Sequence, residues 1–433
     1  MTTETQAVTF QSAVPYTSRT RQRVIGFIFL GIAAAIWLLF SPNEMAGVDT
    51  TFRLNPGGSQ SNFPDWVFST LPMVNALASI SALIGGFQLA RGFGRYSNLL
   101  IGLVAGMFIF AFLSWAAAGT AINLAGLLRS TLIRAVPITL GALSGILCER
   151  SGVVNIAIEG MMLTSAMMAA LIGSVAADWV GRPANLWVGL LAGVLSGGIL
   201  AAVHALLSIK YKTDQIVSGT VINIFSIGIT SFISAKFLAQ YRELNSPGIF
   251  SNWRIPLLAD IPFVGPILFN HNIFFYGLVV LLFVLHFGLF YTRWGLRLRS
   301  VGEHPRAADT LGINVFRTRY MAVILGGMVA GLGGAYFTLG SVGRFDEVMT
   351  AGRGFIGLAA MIFGNWQPFG AMGAGLLFGF ADMLASNLAI LGVRIPSEFL
   401  LMAPYVATMI VLAGVVGRGQ MPAADGQPYE KES

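Results

Sequence analysis

The sequence predicts an all-α protein, a polytopic bundle of transmembrane helices. Of its 433 residues, 55% are hydrophobic and only 10% are charged, whereas about a quarter of the residues in an ordinary soluble domain are charged. The mean hydropathy is +0.74, and apolar runs recur along nearly the whole chain. Because no long polar segment remains for a sizeable soluble domain, we expect a multi-pass protein of the cell membrane.

The apolar runs predict about twelve membrane spans. A helix rises about 1.5 Å per residue, so crossing the roughly 30 Å hydrocarbon layer takes about 20 residues. The predicted spans are 24–40, 67–90, 97–117, 131–148, 156–177, 186–209, 215–238, 273–291, 319–340, 352–365, 369–390 and 400–417. We expect the first to be an uncleaved helix, because no small-residue cleavage site follows it.

The basic residues between the apolar runs follow the positive-inside rule for one threading of the chain. If the N-terminus is cytoplasmic, the long connectors 41–66 and 239–272, which are poor in Lys and Arg for their length, lie outside. The basic residues of the other connectors then lie inside: Arg91, Arg95, Lys210, Lys212, Arg293, Arg297, Arg299, Arg306, Arg317, Arg319 and Arg418. We therefore predict two cytoplasmic termini. The excess of 26 basic over 19 acidic residues is a topology signal and indicates no nucleic-acid partner.

Rows of small residues predict where the helices pack closely. Gly189, Gly193 and Gly197 are spaced four apart, as are Gly327 and Gly331. Such rows let helix backbones approach, which matters in lipid because no apolar driving force acts between helices there.

The predicted span at 352–365 is the weakest, because it is short and is followed by "GNWQPFG". Two interpretations are equally open. It is either an interrupted helix that faces protein or a water-filled cavity, or a tight turn between two short helices.

Motifs for catalysis, metal binding or cofactor binding are absent from the sequence. There is no Gly-x-x-x-x-Gly-Lys-Ser/Thr phosphate loop and no His-Glu-x-x-His metal motif. Cys148 is the single cysteine, which excludes an internal disulfide framework and a Cys-rich metal site. We therefore predict no catalytic residue, no metal and no cofactor in this chain, and an enzyme is the least supported class.

The segment "GILCERSGVVNIAIEGMMLT" (145–164) places three ionisable groups between apolar runs: Glu149, Arg150 and Glu159. The predicted spans put the first two at the cytoplasmic end of a helix, where charge is tolerated, and put Glu159 inside the membrane. A charge at the bilayer centre costs about 2.5 to 3.5 kcal/mol, so such groups usually pair or face a cavity. Two interpretations follow: an Arg150–Glu159 ion pair that pins a tight turn at Gly152, or a polar transport path.

Four polar residues are candidates for lining such a path. Asn155 precedes Glu159 by four residues, so both lie on one helical face if the helix has begun by then. Asn223 and Asp382 are further polar groups within apolar spans. For Asn155 and Glu159 a structural role and a substrate contact are equally open, and Asn223 and Asp382 either pair with them or line the path.

The connector "RWGLRLRSVGEHPRAADTLGINVFRTRY" (293–320) predicts a short, bounded helix on the cytoplasmic side. The chain turns at the glycine of "SVGEH", restarts as a helix after Pro305, presents Ala307 and Ala308, and stops at Gly312. Proline in the first turn and glycine at the end are typical helix boundaries. We expect this helix to dock into a groove on a partner, whereas the arginines before it anchor the chain to anionic lipid.

Three motifs, in the same order, resemble the membrane permease subunits of bacterial ABC importers in the ribose-type group, closest to those for nucleosides or simple sugars. They are "ERSGVVNIAIEGMMLTSA", "GEHPRAADTLGINV" and "GRGFIGLAAMIFGNWQPFGAMGAGLLFG". Cys148 and His304 depart from the family pattern, which usually has Ser and Asn there. The resemblance implies a ten-helix permease core at 97–417, an N-terminal extension with two transmembrane helices at 1–96, and a cytoplasmic tail at 418–433.

The resemblance also implies a set of partners. They are a cytoplasmic ABC ATPase subunit that uses ATP, a second permease subunit that is identical or paralogous, and an extracytoplasmic substrate-binding protein. The helix that couples to the ATPase would lie at 302–313, with these residues at the matching positions: Gly302, Glu303, Pro305, Ala307, Ala308, Gly312 and Ile313.

We therefore predict the permease subunit of an ABC importer that moves a nucleoside or a simple sugar inward, with a branched-chain amino acid as a further candidate. The alternative is a proton-coupled secondary transporter in which Glu159 or Asp382 carries the proton. Copurification of an ATPase supports the first function, whereas transport by the chain alone, driven by a pH gradient, supports the second.

Overall fold

The structure, a computed structural model, describes residues 19–41, 45–57, 63–390, 402 and 421–431. This part of the chain is mainly helical and contains ten helices that are long and apolar enough to cross a membrane. The predicted polytopic helical bundle is confirmed. The predicted span at 400–417 lies outside the described residues, except for Met402.

The described residues form fourteen α-helices, three of which continue into a π-helical turn. The helices are α1 (Arg19–Phe40), α2 (Thr70–Ala90), α3 (Ser97–Ala116), α4 (Leu124–Glu149), α5 (Ile158–Val180), α6 (Ala184–Ala205), α7 (Gln215–Ile233), α8 (Val264–Leu268), α9 (Ile273–Tyr291), α10 (Arg293–Glu303), α11 (Pro305–Thr310), α12 (Val315–Ala335), α13 (Arg353–Phe363) and α14 (Pro368–Ile390). The π-helical turns extend α6 (Leu206–Lys210), α7 (Ser234–Leu238) and α12 (Tyr336–Val342).

The helix bounds follow the apolar runs, and the predicted spans agree with most of them. The main difference is α4, which begins at Leu124 instead of residue 131. Arg129 and Arg134 interrupt the apolar pattern near its start. Because Nη2 of Arg129 donates a hydrogen bond to the carbonyl oxygen of Asn270 (3.1 Å), the helix continues through this polar region.

Polar side chains fix where several helices begin. The carboxylate of Asp214 accepts hydrogen bonds from two N–H groups in the first turn of α7. Asn272, Thr292 and Asn314 cap α9, α10 and α12 in the same way. Each cap satisfies N–H groups that have no partner inside the helix. Thr292 and Asn314 thereby bound the segment that contains the predicted docking helix.

The chain divides into two compact units, essentially after Leu124. The first contains α1, α2 and α3. Phe40 of α1 contacts Phe108 and Trp115 of α3, with ring centroids 5.4 and 5.6 Å apart. We predicted an N-terminal extension of two helices that ends at residue 96. The structure groups α3 with α1 and α2, and the start of the permease core at residue 97 stays a prediction.

Two small β-sheets accompany the helices. In the first unit, β1 (Asp49–Arg53) pairs antiparallel with β2 (Trp66–Ser69) and parallel with β3 (Ala121–Asn123). In the second unit, β4 (Trp253–Arg254) pairs antiparallel with β5 (Asn270–His271). These strands lie in the connectors or beside them, where hydropathy carries no signal, so the sequence did not predict them.

Close contacts between small residues hold the second unit together. An ideal Cβ atom on Gly197 of α6 would lie 2.8 Å from the Cα atom of Gly331 of α12, and one on Gly189 would lie 2.9 Å from the Cα atom of Gly173 of α5. No side chain fits at these distances, so α5, α6 and α12 pack with their backbones in near contact. The predicted packing role of the glycine rows is confirmed.

A half-length helix lies between two full spans of the second unit. The chain leaves the extension of α12 and enters α13 through Ala351 and Gly352, whose φ angles are positive. α13 has 11 residues, and 11 residues span roughly 16 Å, about half of the hydrocarbon layer. Asn365 and Trp366, also with positive φ, turn the chain into α14. The span predicted at 352–365 is therefore an interrupted helix, and a tight turn follows it.

Candidate functional site

The stretch between α4 and α5 is irregular and largely buried, and neighbouring helices satisfy its backbone. Gly152 has a φ of +87°, and an ideal Cβ atom on it would lie 2.8 Å from Nη2 of Arg319. Val154 donates its N–H to Gln215 of α7 (2.7 Å), and its carbonyl oxygen lies 2.9 Å from Nε2 of His204 of α6. Buried backbone groups outside regular structure need such partners, so α6 and α7 support this stretch.

Asn155 and Asn223 also bond to the backbone around the start of α5. Asn155 is fully buried, and its side-chain oxygen accepts a hydrogen bond from the N–H two residues further along (3.1 Å). Asn223 accepts from the N–H of Gly160 (2.7 Å) and donates to the carbonyl oxygen of Ile156 (2.9 Å). Because α5 begins after Asn155, the prediction that Asn155 and Glu159 share a helical face is wrong.

Glu159 caps the half-length helix α13. Its carboxylate accepts hydrogen bonds from the hydroxyl of Thr350 (2.6 Å), the N–H of Gly352 (2.8 Å) and the N–H of Gly354 (2.6 Å). A carboxylate at a helix N-terminus satisfies unpaired N–H groups and interacts favourably with the helix dipole. An ideal Cβ atom on Gly354 would lie 2.7 Å from the Cα atom of Glu159, so this glycine lets the two segments meet.

Glu149 and Arg150 hold the turn beyond the other end of α13. Arg150 donates from Nε and Nη2 to the carbonyl oxygen of Trp366 (3.1 and 3.0 Å), and the indole N–H of Trp366 donates to Glu149 (2.6 Å). Burial lowers the pKa of Arg150 from its ordinary value. Within the described residues Arg150 and Glu159 bond to different groups, so the ion pair considered above is not formed. Arg150 and Glu149 instead bond to Trp366, in the turn that follows α13.

Asp382 of α14 lies in a group of charged side chains from three helices. Its Oδ2 atom accepts a hydrogen bond from Nη1 of Arg134 of α4 (2.6 Å) and lies 3.5 Å from Nη2 of Arg353, the first residue of α13. The side chains keep between 25% and 31% of their surface exposed. Two guanidinium groups therefore share the carboxylate of Asp382, and the carboxylate of Glu159 also lies at the N-terminus of α13.

Arg134 and Arg353 were not among the site residues predicted from the sequence. The signal was present, because ionisable residues in or beside apolar spans are functional candidates by default. Their grouping could not be read from the sequence, since Arg134 and Asp382 are 248 positions apart.

The predicted docking helix forms as α11. His304 separates it from α10, Pro305 occupies its first turn, and Gly312, with a φ of +80°, follows its end. Its boundaries are therefore those expected from the sequence. The turn predicted at Gly302 lies two residues later, because Gly302 and Glu303 still belong to the last turn of α10.

The surface around α11 combines an exposed tip with a groove. Leu311 is 81% exposed, whereas Ala308 is 2% exposed and packs inward; the N–H of Ile313 donates to the carbonyl oxygen of Ala308 (3.0 Å). Ala307 is exposed. The groove has a volume of about 800 Å³. Its walls carry both apolar and basic side chains, including Trp294, Leu296, Arg297, Leu311 and Arg317.

The predicted site residues thus form three groups in the second unit. Asn155, Glu159 and Asn223 surround the start of α5, and Asp382 joins two arginines. The residues from Gly302 to Ile313 form a separate surface at α10 and α11. In the part of the chain that the structure describes, no group of three or more His, Cys, Asp and Glu side chains could hold a metal ion.

Comparisons with known proteins identify the family of the chain. Residues 127–416 match the family described as the permease component of the branched-chain amino acid transport system. A guanosine ABC transporter permease protein of Bacillus subtilis is 42% identical over 306 residues, which cover 70% of this chain and 95% of the relative. A nucleoside ABC transporter permease protein of Lactococcus lactis is 40% identical, with coverage of 70% and 96%.

A putative glucose ABC transporter permease protein of Haloferax volcanii is 32% identical over 335 residues, covering 71% of this chain and 98% of the relative. No solved structure matches the chain. The resemblance to ABC permeases for nucleosides or sugars is confirmed. The chain therefore belongs to the permease family of the branched-chain amino acid transport system, and it is a multi-pass membrane permease of the ABC transporter type.

Proposed function

We propose that this chain is the subunit through which an ABC importer moves a nucleoside into the cell, with a simple sugar as the second substrate class. The observation that carries the substrate class is the similarity to permeases for guanosine and nucleosides, at 42% and 40% identity over nearly their whole length. The putative glucose permease, at 32% identity, keeps a sugar as the second candidate.

The importer also needs partners. A cytoplasmic ATPase subunit hydrolyses ATP, a second permease subunit completes the path, and an extracytoplasmic protein delivers the substrate. In this proposal the ATPase docks at α11 and the adjacent groove. The exposed Leu311 at the end of a helix bounded by Pro305 and Gly312 supports that assignment, because a short rigid helix presents its tip in one orientation.

The transport path passes the charged group around Asp382. Nucleosides and sugars are uncharged and carry several hydroxyl groups, which guanidinium and carboxylate groups bind through hydrogen bonds. Arg134, Arg353 and Asp382 remain partly exposed. Asn155, Glu159 and Asn223 form the frame of the path, since their polar atoms bond to the protein itself.

A proton-coupled mechanism has less support. Glu159 accepts three hydrogen bonds from groups at the N-terminus of α13, and Asp382 is paired with Arg134. Protonation of Glu159 weakens its hydrogen bonds to the start of α13, and protonation of Asp382 removes its ion pair with Arg134, so a proton-carrying cycle would break these contacts at each turnover.

The test is substrate uptake into proteoliposomes that contain the chain with its second permease subunit, its ATPase and its binding protein. We expect uptake of labelled guanosine that needs ATP, and competition by other nucleosides but not by leucine. Leu311→Asp should abolish ATPase binding and uptake, whereas Leu311→Met should preserve both. Uptake by the chain alone, driven by a pH gradient, would contradict the proposal.

A further inference from the structure

Residues 421–431 of the second unit, which we call the strap, lie against the end of α10. The N–H of Ala424 donates to the carbonyl oxygen of Gly302 (2.9 Å), and the N–H of Ala423 donates to the carboxylate of Glu303 (3.2 Å). Two hydrogen bonds therefore join the strap to the residues that immediately precede α11.

The strap also covers the buried face of α11. Tyr429 is 6% exposed and packs in one cluster with Val301, Ala308 and Val315, which belong to α10, α11 and α12. Its ring centroid lies 5.4 Å from that of Phe316. An aromatic ring buried in this way contributes a large apolar contact. The strap is thus fixed to α11 by packing as well as by hydrogen bonds.

On its other side the strap meets the ends of α4 and α12. Nη1 of Arg319 donates to the carbonyl oxygen of Gln427 (2.8 Å), and the carboxyl of Asp425 faces Glu149 and Arg319. An ideal Cβ atom on Gly152 would lie 3.1 Å from the carbonyl oxygen of Ala424. The strap therefore lies between the docking helix and the turn that Glu149 and Trp366 hold together.

The two sides of the strap differ in how well they are bonded. Among the described residues, Nε and Nη2 of Arg319 and Oδ1 of Asp425 are buried without a hydrogen-bond partner. Buried polar atoms without hydrogen-bond partners are unfavourable. A shift that brings Asp425 onto Arg319 would gain charge-assisted hydrogen bonds, so a second arrangement is available on the α4 and α12 side.

We propose that the strap is a positioning element for energy coupling: it moves together with α11 and transmits the displacement of α11 to Glu149 and Arg319. This inference rests on the proposed function, because an ATPase must displace α11. The position of the strap supports the inference. The strap joins the docking helix to the buried ends of α4 and α12, and Glu149 in turn bonds to the turn after α13.

The first test needs no partner protein. Residues 421–433 are deleted, and backbone hydrogen exchange of the remaining chain in nanodiscs is compared with that of the wild type. We expect residues 304–313 and 150–157 to exchange faster by on the order of tenfold, because local opening becomes easier when hydrogen bonds and packing are lost. Residues 273–291 should be unaffected. Unchanged exchange at 304–313 would overturn the inference. If the deletion fails to fold, Tyr429→Ala is compared with Lys431→Gln in the same way.

The second test measures coupling in the reconstituted importer. We expect both the deletion and Tyr429→Ala to hydrolyse ATP while transport per ATP falls by roughly fivefold or more, the lower end of typical coupling effects. In the Glu303→Cys/Ala423→Cys variant, closing the disulfide by oxidation should leave transport at the level of the reduced form of the same variant, since the strap moves with α11. If the deletion stimulated transport and the disulfide blocked it, the inference would be overturned and the strap would be an inhibitory segment.

The two tests also separate this inference from the proposed function. If the wild-type importer transports neither a nucleoside nor a sugar, the proposed function is wrong. The exchange measurement still decides whether the strap positions α11.

Discussion

Two carboxylates within the membrane-spanning part of the second unit, Glu159 and Asp382, are stabilised in different ways. Glu159 is 6% exposed and accepts hydrogen bonds from the hydroxyl of Thr350 and from two backbone N–H groups at the start of α13. The Asp382 side chain is 30% exposed and interacts with Arg134 and Arg353. One carboxylate is stabilised by the backbone, the other by cations.

The difference indicates different tasks for the same chemical group. The carboxylate of Glu159 already accepts three hydrogen bonds at the start of a half-length helix, and its removal leaves these donors without an acceptor. A carboxylate shared by two partly exposed arginines can exchange one of these contacts for a solute hydroxyl. We therefore expect Glu159 to have a structural role and Asp382 to contact the substrate.

The largest expected effect is that of Glu159→Ala. It leaves the hydroxyl of Thr350 and the N–H groups of Gly352 and Gly354 without their acceptor. Since hydrogen bonds to a charged group contribute about 1.5 to 3 kcal/mol each and unsatisfied buried donors are costly, the free energy of unfolding should fall by about 3 to 5 kcal/mol. Thermal unfolding in detergent measures this through a thiol-reactive fluorophore, because Cys148 is the single cysteine and is buried.

Two variants make this prediction specific. Glu159→Gln keeps an acceptor oxygen and should recover part of the lost stability. Gly373→Ala, where an added Cβ atom meets nothing within 4 Å, should leave the unfolding temperature unchanged. If Glu159→Ala unfolds like the wild type but loses transport, Glu159 contacts substrate and the comparison with Asp382 fails.

Asp382→Asn should have the reverse profile. Because the carboxylate is partly exposed, its ion pair with Arg134 contributes less than about 1 kcal/mol to stability. Transport should fall by roughly tenfold, which corresponds to a change of about 1.4 kcal/mol in a barrier. Uptake into proteoliposomes and thermal unfolding are measured on the same preparation. A loss of stability as large as that of Glu159→Ala would show that Asp382 is a structural residue as well.

Glu159 and Asp382 also show how much of the structure could be predicted from the sequence. The spans, the glycine contacts and the bounded helix α11 were predicted because each depends on local composition and spacing. Glu159 was identified as an intramembrane carboxylate for the same reason. Its partners were not, since Thr350, Gly352 and Gly354 lie 191 to 195 positions away in the chain. Only the folded arrangement of α5 and α13 brings these groups together.

Asn155 illustrates a different limit. Its spacing from Glu159 suggested a shared helical face, but that inference depends on where the helix begins. The helix begins later because Asn223 and the side chain of Asn155 offer the backbone hydrogen bonds that compete with a helical turn. Helix boundaries set by such long-range and side-chain bonds are not visible in hydropathy.

The smallest expected effect extends the comparison to a third carboxyl, that of Asp425 in the strap. Burial raises its pKa from 3.8 to about 7, although Arg319 acts in the opposite direction. The ionisable groups that face it are Glu149, Cys148 and Arg319. Because the docked carboxyl keeps its proton up to about pH 7 and a solvated one loses it near pH 3.8, docking is fully favoured below pH 3.8 and weakens as the pH rises to 7.

Between pH 6 and pH 8 the docking equilibrium of the strap should therefore weaken by roughly tenfold. A spin label on Lys431→Cys reports the docked fraction through its mobility, which does not itself depend on pH. Asp425→Asn should remove the pH dependence in this range while the strap stays docked, because the amide is neutral at every pH. A dependence that persists in this variant would assign the titration to Glu149 instead. The carboxyls of Asp425 and Glu149 face each other, and burial favours the protonated form of either one.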